Sequence, residues 1–192
     1  MKKIVFKLLA LTFSLMALMS CSDDDYNGDV IGEDPTIPLM FGINAKGTVT
    51  GKMVENYELP GTDLTVSGNA FEMTMFNPAT DEAIGTVIDI NVDAQTFEDG
   101  SMFGENYTVF LFEDSQNSSL VLHNLIEMIP APPANMNAFI KRENTLDNVV
   151  GGTGIYSSFV GGSTLNASLD MKDFAENKVG FDCLYGFTKM LH

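Results

Sequence analysis

Basic side chains are scarce in this 192-residue chain: ten lysines and arginines stand against twenty-six aspartates and glutamates, a formal charge of −16. That balance offers no electrostatic footprint for a phosphate backbone and argues against any nucleic acid as partner. Histidine is equally sparse, with only His123 and a terminal His192, and no acidic run has the spacing of a calcium loop. No metal site and no cofactor are expected. The two cysteines, Cys21 and Cys183, leave no internal disulfide framework and no cysteine-rich zinc site once Cys21 is assigned below. Neither of the usual nucleophile motifs surrounds a serine, and Cys183, among apolar neighbours late in the chain, reads as core. No internal repeat stands out, and no second domain is expected.

What is present begins at the amino terminus. Lys2, Lys3 and Lys7 accompany a run, Ile4 to Met19, that is otherwise apolar apart from Thr12 and Ser14. This is the pattern of a secretory signal peptide. The run falls short of the roughly 20 apolar residues of a spanning helix and is followed closely by acid. Leu18-Met19-Ser20-Cys21 resembles the bacterial lipobox, which implies cleavage after residue 20 and acylation of Cys21. Two acyl chains or more anchor a protein stably where one does not. Ser22-Asp23-Asp24-Asp25 resembles the acidic export signal of Bacteroidota lipoproteins, which implies the outer face of the outer membrane. Without that resemblance the same residues read as a solvated tether. Residues 21–38 hold six acids, no base, two glycines and two prolines. They lack the apolar surface to order themselves and read as a spacer between lipid and domain. Removing the leader's three lysines leaves seven bases against twenty-six acids, a charge of −19 that repels anionic headgroups.

Residues 39–192 suffice for one domain with its own core. Alternation dominates there, with Gly, Asn and Asp punctuating runs rich in Val, Ile, Thr and Phe, so an all-β fold is expected. In residues 43–53, Ile43, Ala45, Gly47, Val49, Gly51 and Met53 alternate with Asn44, Lys46, Thr48, Thr50 and Lys52. Residues 64–76 place Phe71, Met73 and Met75 on one side, and a turn follows at residues 77–81. In residues 84–92 the even positions are mostly apolar, while Gly85, Val87, Asp89 and Asn91 share the other face. Further runs at 105–112, 118–124, 138–150, 160–171 and 178–190 bring the strands to about eight, enough for a closed barrel or a sandwich. Residues 120–129 fit a short helix equally well, and Pro130, Pro132 and Pro133 are expected to end whichever forms. The stretch 130–137 reads as a loop over a barrel mouth, and residues 55–58 as a solvated loop.

Val149-Val150-Gly151-Gly152-Thr153-Gly154-Ile155-Tyr156, followed by Gly161-Gly162 opening another run, resembles the signature of plant allene oxide cyclases and dirigent proteins. Phe71 to Val92, with Gly85 opening the second strand, and Ser118 to Asn124 are similar to that family's preceding strands, so the resemblance spans roughly residues 40–175. It implies a closed eight-stranded antiparallel β-barrel with an apolar cavity, often assembled as a homotrimer. Gly151, Gly152, Thr153 and Gly154 become a structural turn, since no lysine or helix follows to make them a nucleotide loop. Met73 and Asn91 fall where the cyclases carry an asparagine and a cysteine, so cyclase activity does not transfer with the fold.

Asp89, if inward, would hold a raised pKa and could act as an acid toward an enol or epoxide oxygen. If the even face is inward it is a surface acid. His123, alternating with Val121 and Ser119, could titrate near neutrality or be a hydrogen-bonded strand residue. Phe71, Met73, Met75, Asn91 and Tyr107 are the expected cavity-lining set, and Tyr156 and Tyr185 could offer hydroxyls or simply fill the wall. Three functions remain open: a lipid-anchored barrel binding a small apolar or aromatic ligand, a cyclase or dirigent-like enzyme, or a structural lipoprotein with a filled barrel.

Overall fold

Alternating side chains become strands almost everywhere in the computed structural model, which describes residues 40–190 apart from 134, 142 and 144. Cys21, the acidic segment and His192 lie outside the described residues. The ten strands are β1 Met40–Thr50, β2 Lys52–Glu58, β3 Thr65–Phe76, β4 Ala83–Thr96 and β5 Met102–Phe112, then β6 Ser119–Ala131, β7 Asn135–Ile140, β8 Val149–Thr153, β9 Gly161–Asp170 and β10 Lys178–Lys189. Their hydrogen-bonded order is β1-β10-β9-β7-β6-β5-β4-β3, and β3 pairs back onto β1. The sheet therefore closes into an eight-stranded antiparallel barrel. Ten segments fill eight places because β2 continues β1 along β3, and β8 continues β7 along β6.

Three expectations need correction. Residues 55–58 are strand, not loop: they belong to β2, which pairs with β3 through a register shift between Val54 and Tyr57. Of the two forms open for residues 120–129 the strand is found, and β6 runs through Pro130, opposite Met136, to end at Ala131 before Pro132 and Pro133. The expected loop at 130–137 shrinks to the turn between β6 and β7. The single run expected at 138–150 is two short strands, because the chain leaves the ladder after Ile140 and rejoins β6 at Val149.

Inward side chains divide the barrel into two halves. One end is plugged by rings: Phe41 stacks on Phe187 at 4.7 Å, Phe110 meets Phe187 edge-on at 5.3 Å, and Phe112 packs on Tyr156 at 4.6 Å. Each such pair adds about 0.5–1.5 kcal/mol beyond the area it buries. The other end carries Phe71, Met73, Ala138, Ala167, Leu169 and Val179 on its inner wall.

A second, smaller core lies outside the barrel. Val109 and Val121 occupy outward positions yet are fully buried, because Leu59 at the tip of the β2–β3 hairpin folds over them with Tyr57 and Val66. The hairpin tip rests on β8, which explains the glycine cluster. A Cβ on Gly151 would run into Thr62, and one on Gly61, at φ +72, into the carbonyl of Gly152. Gly154 takes φ +59 as the chain turns into a short 3-10 segment, Gly154–Tyr156. The expected turn is thus half strand, with Gly151, Gly152 and Thr153 in β8 itself.

Candidate functional site

The half of the barrel without the ring plug is hollow. A cavity of about 230 Å³ lies between β3, β4, β5 and β6 on one side and β7, β9 and β10 on the other. Strand register explains the space. Ala138 pairs with Ala167, Ala167 with Cys183, and Cys183 with Ala45, so small inward residues form one row across four neighbouring strands. Opposite this row the wall carries Phe71, Met73, Asp89 and Asn106. Met102, Met128, Met171 and Phe174 surround the mouth side. At the same end Asn177, in the left-handed region at φ +56, exchanges amide hydrogen bonds with Asn69 (2.8 and 3.2 Å) and donates to the Gly51 carbonyl at 3.0 Å. That clasp holds the break between β1 and β2.

Asp89 is the one charged side chain on the cavity wall. The odd positions of β4 face inward, so the carboxylate is turned into the cavity and partly buried, and it accepts hydrogen bonds from Thr108 Oγ1 at 2.8 Å and from Asn106 Nδ2 at 3.0 and 3.1 Å. Burial pushes its pKa above the usual carboxylate range, and the bonds from Thr108 and Asn106 oppose that shift without cancelling it. Tyr185 and Cys183 face the same carboxylate from β10. Both have raised pKa values, first because they are buried and then because of neighbouring negative charge, Asp89 included.

A buried polar relay runs from Asp89 across the wall. The Ser163 N–H donates to Asn148 Oδ1 (2.6 Å), Asn148 Nδ2 to Asn124 Oδ1 (2.9 Å), Asn124 Nδ2 to Thr108 Oγ1 (3.0 Å), and Thr108 to Asp89. Every donor points toward the carboxylate, so the links polarise one another. Asn148 also donates to the Ser163 carbonyl at 3.2 Å, and its own carbonyl accepts from the His123 N–H at 2.9 Å. Its side chain thus replaces ladder bonds where β7 has ended and β9 would have no partner.

Among the expected site residues, Asp89, Phe71, Met73 and Asn91 do line the cavity. Met75 faces inward and is fully buried, but it packs in the core outside the cavity. Tyr107 and His123 do not line it. They lie on the outer face of β5 and β6, where their rings stack at 4.7 Å and His123 Nε2 sits 2.8 Å from Glu105 Oε1. The cause is parity: inward positions on β5 and β6 are even, as at Asn106, Thr108, Leu122 and Asn124. Tyr156 belongs to the ring plug, and Cys183, read as core, is buried in the cavity wall. Asn106, Thr108, Asn124 and Asn148 escaped the sequence reading. Their one visible signal was polar residues at positions sharing a face with apolar ones.

No family model matches the sequence, and neither does any curated protein. Among solved structures, the pterocarpan synthase dirigent protein GePTS1 is similar at 13% identity with a TM-score of 0.41, over 86% of this chain and 99% of that one.

Proposed function

We propose that this protein is a ligand-binding module: a lipid-anchored barrel, exported and displayed at the cell surface, that holds one small apolar or aromatic molecule. The observation that carries the reading is the hollow half of the barrel, walled by Phe, Met, Leu and Ala side chains with Asp89 as a single anchoring charge. Binding sites of this kind are apolar concavities with a few placed polar groups. At about 230 Å³ the cavity lies below the ~300–1,000 Å³ of drug-sized sites, so its ligand is small. The ring plug occupies the other end, so a ligand is expected to enter from the side of Phe174 and the Asn69–Asn177 clasp.

Anchoring rests on the lipobox-like Leu18-Met19-Ser20-Cys21, and display on Ser22-Asp23-Asp24-Asp25. A second reading, general-acid catalysis on a bound enol or epoxide, is favoured by Asp89, whose pKa burial raises, lying beside Tyr185 on the cavity lining. Native mass spectrometry of the protein taken from its own membranes should show a small-molecule mass excess that organic extraction removes. If no excess appears, and a neutral apolar fluorophore such as N-phenyl-1-naphthylamine fails to bind at one-to-one stoichiometry, the ligand-binding reading is wrong. Radiolabelled palmitate tests the anchor, with incorporation expected in the native chain and absent in Cys21→Ala.

A further inference from the structure

Two features of the cavity wall concern the chemistry of what enters it. The first is charge. Asp89 faces the cavity with no countercharge among the described residues: their ion pairs are Lys46–Asp81, His123–Glu105 and Lys141–Glu143, and none of their lysines, arginines or histidines lines the cavity. Its protein partners are a neutral amide and a neutral hydroxyl. An uncompensated buried carboxylate is expensive, and a cation brought beside it offsets that cost. The second feature is an orphan acceptor. Asn106 is 7% exposed and spends its amide N–H groups on Asp89, while its Oδ1 has no hydrogen-bond partner. At the level of Asp89 the lining therefore combines a carboxylate held only by neutral donors with a sealed carbonyl that lacks one, an excess of acceptors over positive charge. A ligand that donates to Asp89 and carries charge answers that excess.

We propose that the cavity takes an organic ammonium ion: a protonated amine on a small apolar or aromatic body, with its nitrogen against the Asp89 carboxylate. The proposal rests on the reading of the cavity as a ligand site. An ammonium group supplies several donors and the missing charge in one atom. Phe71 and Phe181, tilted rings 5.3 Å apart in the cavity lining, and Tyr185 add aromatic surface for a cation or an aryl body. The strongly acidic chain raises the concentration of cations around it and repels anions, so selection begins before entry.

Calorimetric titration of the extracted whole protein with three probes of matched size separates the possibilities: 2-phenylethylamine, 2-phenylethanol and phenylacetate. The amine is expected to bind at least tenfold more tightly than the alcohol, with phenylacetate weakest. In Asp89→Asn that preference should collapse to near equality. The wild-type comparison needs no variant, so a misfolded mutant leaves the test intact. If the alcohol binds as well as the amine, the ammonium assignment is overturned while the cavity stands as a binding site. A preference that survives Asp89→Asn also overturns it. Failure of all three probes to bind contradicts both the assignment and the ligand-binding reading beneath it.

Discussion

Ala167→Leu is the substitution whose sign separates a hollow barrel from a filled one. Ala167 is 3% exposed, lies in the small-residue row beside Ala138 and Cys183, and lines the cavity. In a close-packed interior the added carbons would force neighbours off their rotamers at about 1–3 kcal/mol. Here they enter a cavity of about 230 Å³. Three further buried carbons at about 0.8 kcal/mol each, less about 0.5–1 kcal/mol of leucine side-chain entropy, leave a net gain of about 1.5 kcal/mol. For a domain of this size that raises Tm by about 3–6 °C. Scanning calorimetry of ligand-stripped native and variant protein measures the shift, and the same variant should bind N-phenyl-1-naphthylamine at least tenfold more weakly. A lower Tm, or unchanged binding, would refute the argument from strand register to empty space.

Other predictions follow from the wall around that space. Because the folded-state pKa of Asp89 is raised, its contribution to stability is fully present below the unfolded carboxyl value of about 3.9 and is lost as pH rises through the folded value. Asp89→Asn should therefore be more stable than the native chain at neutral pH, with the gap closing on acidification, when followed by urea denaturation; Cys183 and Tyr185, which face Asp89, stay neutral over that range. Asn148→Ala strips partners from the Ser163 N–H, the Ser163 carbonyl and Asn124 Oδ1, and at about 1–3 kcal/mol for each unsatisfied buried group the urea midpoint should drop by the equivalent of about 3 kcal/mol or more. Gly61→Ala should cost well over the roughly 1–2 kcal/mol of left-handed strain, because its Cβ also meets the Gly152 carbonyl. Gly100→Ala, at φ +81 with its nearest neighbour 3.5 Å away, should cost that strain alone in the same thermal-unfolding assay.

Period-two alternation carried most of the architecture, because a strand with one wet face writes its burial into the sequence. On β3 and β4 that rule grouped Phe71 with Met73 and Asp89 with Asn91, each pair on one face, and left open whether the β4 face turns inward, as the register shows it does. It failed where both faces are dry. Val109 and Val121 point outward but are covered by Leu59, so β5 and β6 look apolar on both sides, the parity of Tyr107 and His123 could not be read, and a helix fitted residues 120–129 as well as a strand did. The split of residues 138–150 into β7 and β8 was equally hidden, since the ladder gap is closed by the side chain of one asparagine, Asn148. The cavity itself is a property of register. Ala45, Ala138, Ala167 and Cys183 are dispersed along the chain, and only pairing of β1, β10, β9 and β7 lines them up. The glycine cluster read as a turn owes its composition to a contact from far away, the hairpin tip at Gly61 and Thr62.

Apolar cavities stay dry and take up xenon. Crystals of the extracted protein under xenon pressure should show an anomalous peak enclosed by Met73, Ala167 and Leu169, within a few ångströms of Cys183 and absent from Ala167→Leu. Continuous side-chain density across that space, with no xenon bound in the native protein, would contradict the account.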